Sequence, residues 1–324
     1  MEAPTPHGSV RCAYCLTSLV AAPGGWRPAA LDAAPEPLAD PELARLWVGG
    51  TRYAVVGRIA RGEGSDVFLA RRDARVTERV VVKVLRAERD RDLLAREAQV
   101  LDALSRSTAQ GAAHFSRVVP QLVKHGVGRL GLTGHEGDRL VTVVRYASGF
   151  AHTLEEVRGV HARGVGPEAS VWLWKRMLET LGWAHRSGWV HGAVLPAHVV
   201  VHARDHGVLL VGWSRAVSSV RPEKLPATTE TARAFYPDDV WQGADATPAT
   251  DVAMSARVML FALGADPAGG VAPPSTPPGI AKLLAREAQG ASSDAWAVRD
   301  ELDVAAHAAF GPPRYVPFEM PGWR

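Results

Sequence analysis

The alternation of apolar and polar residues predicts a β-rich first part of the chain and a helical second part. Stretches rich in valine, leucine and other strand-forming residues predict β-strands at residues 53–60, 66–70, 79–85, 117–126 and 140–146. Leucines at helical spacing predict an amphipathic helix at about residues 90–104, between the third and fourth strands.

Helical patterns dominate the second part. They predict helices at residues 167–187, 247–263, 280–289 and 292–309. Thr153 is predicted to begin a further helix, because Glu156 follows at capping-box spacing. A β-hairpin is predicted within residues 189–216, with apolar strands at 199–201 and 208–211 and a polar turn between them. The tail at residues 311–324 has too many prolines for a helix, and its aromatic residues indicate packing in extended form.

Composition limits the classes of function. The 324 residues suffice for one large two-lobed domain with small appendages. The 37 basic and 34 acidic residues give a net charge of +3 without a basic run, so we expect no nucleic-acid partner. Two cysteines exclude a disulfide framework. No apolar run reaches the roughly 20 residues of a membrane helix and no secretory signal is evident, so we expect a cytoplasmic protein with no membrane contact.

Residues 1–50 are interpreted as an N-terminal tail with a linker at 27–41. Cys12 and Cys15 form a CxxC pair, and a gap of two residues lets both thiolates reach one zinc ion. A structural zinc site needs four ligands, and His7 is the one nearby imidazole. A degenerate zinc ribbon and a pair of free thiols in a mobile tail both stay open as interpretations, and the second is favoured.

A glycine turn and a lone lysine mark a candidate phosphate site. Gly62 and Gly64 lie between the first two predicted strands, where glycines allow positive φ and a close approach of backbone N–H groups to phosphate oxygens. Lys83 lies inside the apolar run of the third strand, where burial is costly without an anionic partner. Glu97, near the apolar face of the following helix, is the predicted partner.

The order of strand, glycine turn, strand, lysine strand and glutamate helix resembles the amino-terminal lobe of the protein kinase superfamily. The resemblance spans about residues 53–309 and implies an α+β, bilobal protein-kinase-like fold. It implies a small β-rich lobe with one key helix at residues 51–146 and a larger, mostly helical lobe at 147–310. The tail at 311–324 follows the second lobe.

The resemblance implies nucleotide contacts by Gly62, Gly64, Lys83, Glu97, Arg145, Tyr146 and Ala147. In kinases the lysine contacts the α- and β-phosphates and pairs with the glutamate, and the hinge at the positions of residues 145–147 binds adenine through its backbone. The two glycines match the first two of the kinase phosphate loop. The third glycine is absent, and the loop is two residues shorter.

The catalytic positions of the family are substituted. Active kinases read H-R-D-L-K-P-E-N where this chain reads HGAVLPAH, from His191 to His198. Ala193 replaces the aspartate that orients the acceptor hydroxyl, and His198 replaces an asparagine that binds Mg²⁺. Gly212 replaces the metal-binding aspartate of D-F-G. His191 itself is retained as a packing residue, and Asp251 matches the aspartate that holds the catalytic loop from a buried helix.

These substitutions predict a pseudokinase, a nucleotide-binding or scaffold module that acts through protein partners and has no efficient enzyme activity. The expected ligand is ATP or another nucleotide, bound weakly or without Mg²⁺. An active but atypical Ser/Thr kinase and a zinc-dependent adaptor centred on Cys12 and Cys15 stay open as alternatives. The HGAVLP loop and the tail also resemble a divergent bacterial kinase-like group.

Overall fold

The computed structural model describes residues 9–11, 18–22, 25–28, 36–37, 44–62, 64–75, 77–131, 137–226 and 228–320. The chain forms two compact units. The first contains the chain up to Ser105 and residues 120–149, and the second contains residues 106–119 and 150–321. Helices and strands are mixed, so the α+β class predicted from the sequence is confirmed.

The first unit holds a closed barrel of six β-strands and one long helix. Its elements are β1 (Ser9–Arg11), β2 (Ser18–Ala22), β3 (Gly25–Pro28), β4 (Glu36–Pro37), β5 (Arg45–Val48), β6 (Thr51–Arg61), β7 (Ser65–Arg72), β8 (Arg79–Leu85), α1 (Arg91–Ser105), β9 (Leu122–Leu130) and β10 (Gly137–Arg145). The barrel order is β6–β5–β9–β10–β8–β7, and β7 pairs again with β6 to close it. β4 pairs with β6 outside this ring, and β1–β3 form a separate antiparallel sheet.

Every second side chain of the barrel strands points into the barrel and fills its interior. On β8, Val80, Val82 and Val84 point into one apolar cluster, together with Val141 and Val143 of β10. Successive side chains of a strand point to opposite faces, so the intervening residues of β8, which include Lys83, lie on the outer face of the barrel. The apolar runs in the sequence therefore supply side chains both to the barrel interior and to the outer face that α1 covers.

Closure of the barrel was not expected from the sequence. The sixth strand is β5, which pairs with both β6 and β9. The strand predicted at residues 117–126 is shifted: β9 begins at Leu122. The N–H groups of Arg117 and Val118 donate to carbonyls of helix α2 (Ala112–Phe115), and Pro120 has no N–H to offer a sheet. The candidate zinc ligands Cys12 and Cys15 lie outside the described residues.

The second unit is mostly helical. Besides α2, its helices are α3 (Leu154–Val160), α4 (Pro167–Arg186), α5 (Asp238–Trp241), α6 (Pro248–Ala262), α7 (Pro278–Glu287) and α8 (Ala295–Phe310). Its short strands are β11 (His152–Thr153), β12 (Trp189–Val190), β13 (Val199–His202), β14 (Gly207–Leu210), β15 (Val217–Ser218), β16 (Glu223–Lys224) and β17 (Asp245–Ala246). No helix among the described residues is long and apolar enough to cross a membrane.

The predicted helix starts are largely confirmed. The Thr153 hydroxyl accepts from the Glu156 N–H at 3.2 Å, and the Glu156 carboxylate accepts from the Thr153 N–H at 2.7 Å, which completes a capping box. α8 begins at Ala295, three residues later than predicted, because the Asp294 carboxylate caps it by accepting from the Trp296 N–H at 2.9 Å.

α6 lies at the centre of the second unit. Nearly all of its side chains are buried, as expected for a predominantly apolar helix inside a domain. α4 and α7 pack against it, and the Trp174 indole N–H of α4 donates to the Ser255 hydroxyl at 2.9 Å. This buried position lets α6 hold polar side chains away from water.

The tail packs in extended form, as predicted. The Tyr315 ring stacks on His206 in the turn between β13 and β14, with centroids 4.6 Å apart, and Trp172 stacks on the other face of His206 at 4.3 Å. The Tyr315 hydroxyl donates to the Arg204 carbonyl at 3.0 Å. Further along the tail, Phe318 is buried. The tail therefore covers the hairpin turn.

We expect this contact to make stability depend on pH. Burial lowers the pKa of His206 below its ordinary value of 6.5. The unfolded chain then binds a proton more readily, so the stability contributed by His206 is complete above pH 6.5 and is lost as the pH falls from there through the lower pKa of the folded state. Asn tolerates the positive φ of this position, 52°. Urea unfolding of His206→Asn should lose less stability between pH 7.5 and pH 5.5 than the native chain, and an equal loss would contradict the prediction.

Candidate functional site

The first unit contains the predicted lysine–glutamate pair. The Lys83 ammonium donates to the two carboxylate oxygens of Glu97 at 2.6 and 2.8 Å. The Glu97 side chain is 3 % exposed and that of Lys83 is 18 % exposed. β8 places the lysine on the outer face of the barrel, and α1 brings the glutamate over it. The prediction that Glu97 is the partner of Lys83 is confirmed.

A row of polar side chains continues from this pair across the sheet. Thr142 of β10 lies directly opposite Lys83 on one side and opposite His125 of β9 on the other. His125 Nδ1 lies 2.9 Å from the Thr142 hydroxyl. Burial lowers the pKa of His125, and the carboxylate of Glu97 partly offsets this effect. Neither residue was predicted from the sequence, although Thr142 is a lone polar residue in an apolar run.

The glycine turn is closed by its own hydrogen bonds. Gly62 has no positive φ, contrary to expectation, and its N–H donates to the Ser65 carbonyl at 2.8 Å. The Arg86 guanidinium donates to the Gly62 carbonyl at 2.8 Å, and the Arg86 N–H donates to the Gly64 carbonyl at 3.0 Å. A Cβ at Gly64 would lie 3.1 Å from the Asp90 Cβ, so close packing accounts for this glycine. The Gly62 N–H is therefore committed to the turn.

Two of the three hinge candidates also use their N–H groups within the first unit. The Arg145 N–H donates to the Gln121 carbonyl at 2.8 Å, and the Tyr146 N–H donates to the Arg79 carbonyl at 3.2 Å. Burial raises the pKa of the Tyr146 hydroxyl. An adenine contact at this position would therefore rely on carbonyl groups or on Ala147.

The second unit contains the predicted hairpin. β13 and β14 pair antiparallel, with Val199 opposite Leu210. At the base of the hairpin the Val211 N–H donates to the His198 carbonyl at 2.9 Å. The hairpin therefore brings position 198, at the end of one loop, beside position 212, at the start of the next.

Asp251 fixes the loop before this hairpin. Its carboxylate is fully buried and accepts from the His191 N–H at 2.7 Å, the Gly192 N–H at 2.9 Å and His185 Nε2 at 2.8 Å. A carboxylate can only accept, so His185 carries a proton on Nε2. The prediction that Asp251 of α6 holds this loop is confirmed.

His191 is a buried packing residue, as predicted. Its Nδ1 accepts from the Ala193 N–H at 3.2 Å, so Nε2 carries the proton and donates to the Val211 carbonyl at 3.0 Å. Its ring contacts Trp213 with centroids 4.3 Å apart. Both ring nitrogens therefore serve the fold.

His198 lies against both of the other positions at which the family resemblance implies a substitution. We call Ala193, His198 and Gly212 the His198 cluster. His198 Nδ1 donates to the Ala193 carbonyl at 2.8 Å. Gly212 has a φ of +83°, and a Cβ there would lie 2.6 Å from His198 Cγ and Nδ1. The sequence motifs single out the three residues, but they do not predict that His198 lies against the other two.

The segment after the cluster is held by strand pairs and by one buried arginine. β12 pairs with β15, and β16 pairs with β17. Arg257 of α6 donates to the Tyr236 carbonyl at 2.5 Å and to the Ala288 carbonyl at 2.9 Å, and its burial lowers the pKa of the guanidinium. The Tyr236 hydroxyl donates to the Gly192 carbonyl at 3.1 Å. The segment is therefore tied to the same loop that Asp251 holds.

The donor atoms of the cluster do not fit Mg²⁺. This cation requires about six oxygen ligands in near-octahedral arrangement. Ala193 and Gly212 have no side-chain donor, and His198 offers an imidazole. Among the described residues, no group of three or more His, Cys, Asp or Glu side chains is arranged to hold a metal ion.

Comparison with known proteins finds no family model that matches the chain and no curated protein that matches it.

The buried ion pair predicts a strong asymmetry between single and double substitutions. Lys83→Met leaves the Glu97 carboxylate buried without its cation and should lower the free energy of unfolding by about 3 kcal/mol. Adding Glu97→Leu removes the orphaned charge and should restore most of the loss. Urea unfolding measures both, with the exposed Arg89→Ala as a control of small effect. A double variant as unstable as Lys83→Met would contradict the prediction.

Asp251 supports a second prediction. Asp251→Ala leaves two buried backbone N–H groups and the His185 imidazole without their acceptor and should lower the free energy of unfolding by about 3–5 kcal/mol. Asp251→Asn keeps one oxygen acceptor and should be less harmful. Asp300→Ala, at an exposed position of α8, is the control. Chemical denaturation that gives equal stabilities for Asp251→Ala and Asp300→Ala would rule out this role of Asp251.

Proposed function

We propose that this chain is a protein-kinase-like pseudokinase, which binds a nucleotide or a protein partner and does not transfer phosphate efficiently. The observation that carries the proposal is the contrast between the two groups of residues. The Lys83–Glu97 pair and the loop contacts of Asp251 are intact. The positions that correspond to the catalytic base and the metal ligands form a packed cluster without a carboxylate.

The Lys83–Glu97 pair supports the nucleotide-binding part of the proposal. A lysine held at 2.6 Å by a buried glutamate has a fixed direction, and its ammonium can donate to phosphate oxygens with its remaining proton. The committed N–H groups of Gly62, Arg145 and Tyr146 reduce the backbone contacts that remain for a ligand. Both features together favour weak binding.

The His198 cluster supports the loss of catalysis. Phosphoryl transfer depends on cations that neutralise the charge developing between the β- and γ-phosphates and on a residue that positions the acceptor hydroxyl. Ala193 offers no group for the second task, and the cluster offers no carboxylate for the first. Removing such parts costs several kcal/mol of barrier, and each 1.4 kcal/mol is tenfold in rate. An active, atypical Ser/Thr kinase is therefore the less favoured function.

A scaffold role would use the rigidity of the second unit. The buried loop at residues 191–193 is fixed through Asp251, and residues 234 and 236 are bound by Arg257. Surface residues supported by these contacts would be ordered before a partner arrives, which lowers the entropic cost of association. We propose that the chain binds another protein in the cytoplasm.

Calorimetric titration with ATP tests the nucleotide proposal. Native protein should bind ATP in EDTA at least as tightly as with Mg²⁺, because the cluster supplies no metal ligands. Lys83→Met should weaken this binding at least tenfold, about 1.4 kcal/mol, whereas Lys282→Met on α7 should not. Absence of binding in both buffers would reduce the proposal to a scaffold.

The same preparations test catalysis. No transfer of radiolabelled γ-phosphate to protein substrates is expected, with Mg²⁺ or Mn²⁺ present. Transfer that Lys83→Met abolishes would instead support the active, atypical kinase.

A further inference from the structure

The imidazole of His198 occupies the space that a side chain at position 212 would need. A Cβ built on Gly212 lies 2.6 Å from both Cγ and Nδ1 of His198 and 2.7 Å from Cδ2. Contacts of a real Cβ are essentially never shorter than 3.0 Å. The atoms concerned belong to the body of an aromatic ring, which cannot bend aside as the end of a lysine chain can. Position 212 therefore accepts glycine alone while the imidazole keeps this position.

Hydrogen bonds hold the ring where it is. Its Nδ1 donates to the Ala193 carbonyl at 2.8 Å, which ties it to the start of its own loop. The main chain of His198 is fixed as well: its N–H donates to the Leu195 carbonyl at 2.8 Å, and its carbonyl accepts from the Val211 N–H at 2.9 Å. Rotation of the side chain away from Gly212 would break the bond to Ala193.

We propose that His198 is a built-in filler of the metal position: its imidazole takes the volume beside Gly212 and links the loop at 193–198 to the turn at 211–213 without a cation. The packing part of this inference stands on the second unit alone. The description of this volume as a metal position rests on the proposed function. A nucleotide that binds this protein is then expected to bind without a metal ion.

One consequence concerns the restoration of a metal site. An aspartate placed at position 212 would meet the His198 ring, and its backbone would be strained by the φ of +83°. An asparagine placed at 198 would free the volume and leave glycine at 212, with no carboxylate. Neither single substitution supplies a cation site, and the two positions must change together.

A double-substitution cycle tests the filling directly. Gly212→Ala should lower the melting temperature far more than Gly290→Ala, because Gly290 has a similar φ of +79° and no atom within 4 Å of a built Cβ. Gly290→Ala thus measures the backbone strain without the collision. In a His198→Ala background the effect of Gly212→Ala should shrink to that of Gly290→Ala, since the colliding ring is gone.

Each outcome of the cycle decides the proposal. Failure of Gly212→Ala to fold, with recovery in the double variant, supports it. Equal effects of Gly212→Ala and Gly290→Ala in the native background overturn it, and so does an effect of Gly212→Ala that His198→Ala leaves unchanged. His198→Asn replaces His198→Ala in the same comparison if the alanine variant does not fold. The readout contains no nucleotide, so failure of ATP binding leaves the result interpretable.

Discussion

The second unit depends on one buried carboxylate. The Asp251 carboxylate accepts hydrogen bonds from the backbone N–H groups of His191 and Gly192 and a third from the His185 side chain. An ionised group without water is tolerated only with such full hydrogen bonding, so the carboxylate and the loop define each other's positions. From this fixed point the chain passes through Ala193 to the 3₁₀ turn that ends at His198, and the hairpin returns it to Gly212.

The fixed loop explains how this stretch can be ordered without charged side chains around a cation. In an enzyme, charged ligands around a cation would repel one another and need that cation for stability. Here a hydrogen bond from His198 Nδ1 to the Ala193 carbonyl joins the same stretch, and the His198 ring packs against Gly212. The first unit retains a charged pair, Lys83 and Glu97, that is satisfied internally. Both stretches are thus held by contacts within the protein.

Sequence reasoning was sufficient where a local rule had one solution. A lysine in a buried strand needs an anion, and Glu97 near the apolar face of the next helix was the evident partner. The role of Asp251 was expected from the family resemblance, and no local rule indicated which donors its carboxylate would meet. The barrel closure was not predictable, because β5 pairs with β9, a strand far along the chain. The contact between His198 and Gly212 was not predictable either, because a glycine in the sequence does not indicate which side chain occupies the space beside it.

The most direct test of the account is nuclear magnetic resonance of the His198 side chain in the full chain. Long-range correlation of the imidazole nitrogens should show a proton on Nδ1, as the bond to the Ala193 carbonyl requires. Addition of Mn²⁺, a paramagnetic ion, should leave the signals of His198 and Gly212 unbroadened, because the ring occupies the position. A deprotonated Nδ1, or selective broadening of these two residues by Mn²⁺, would contradict the account.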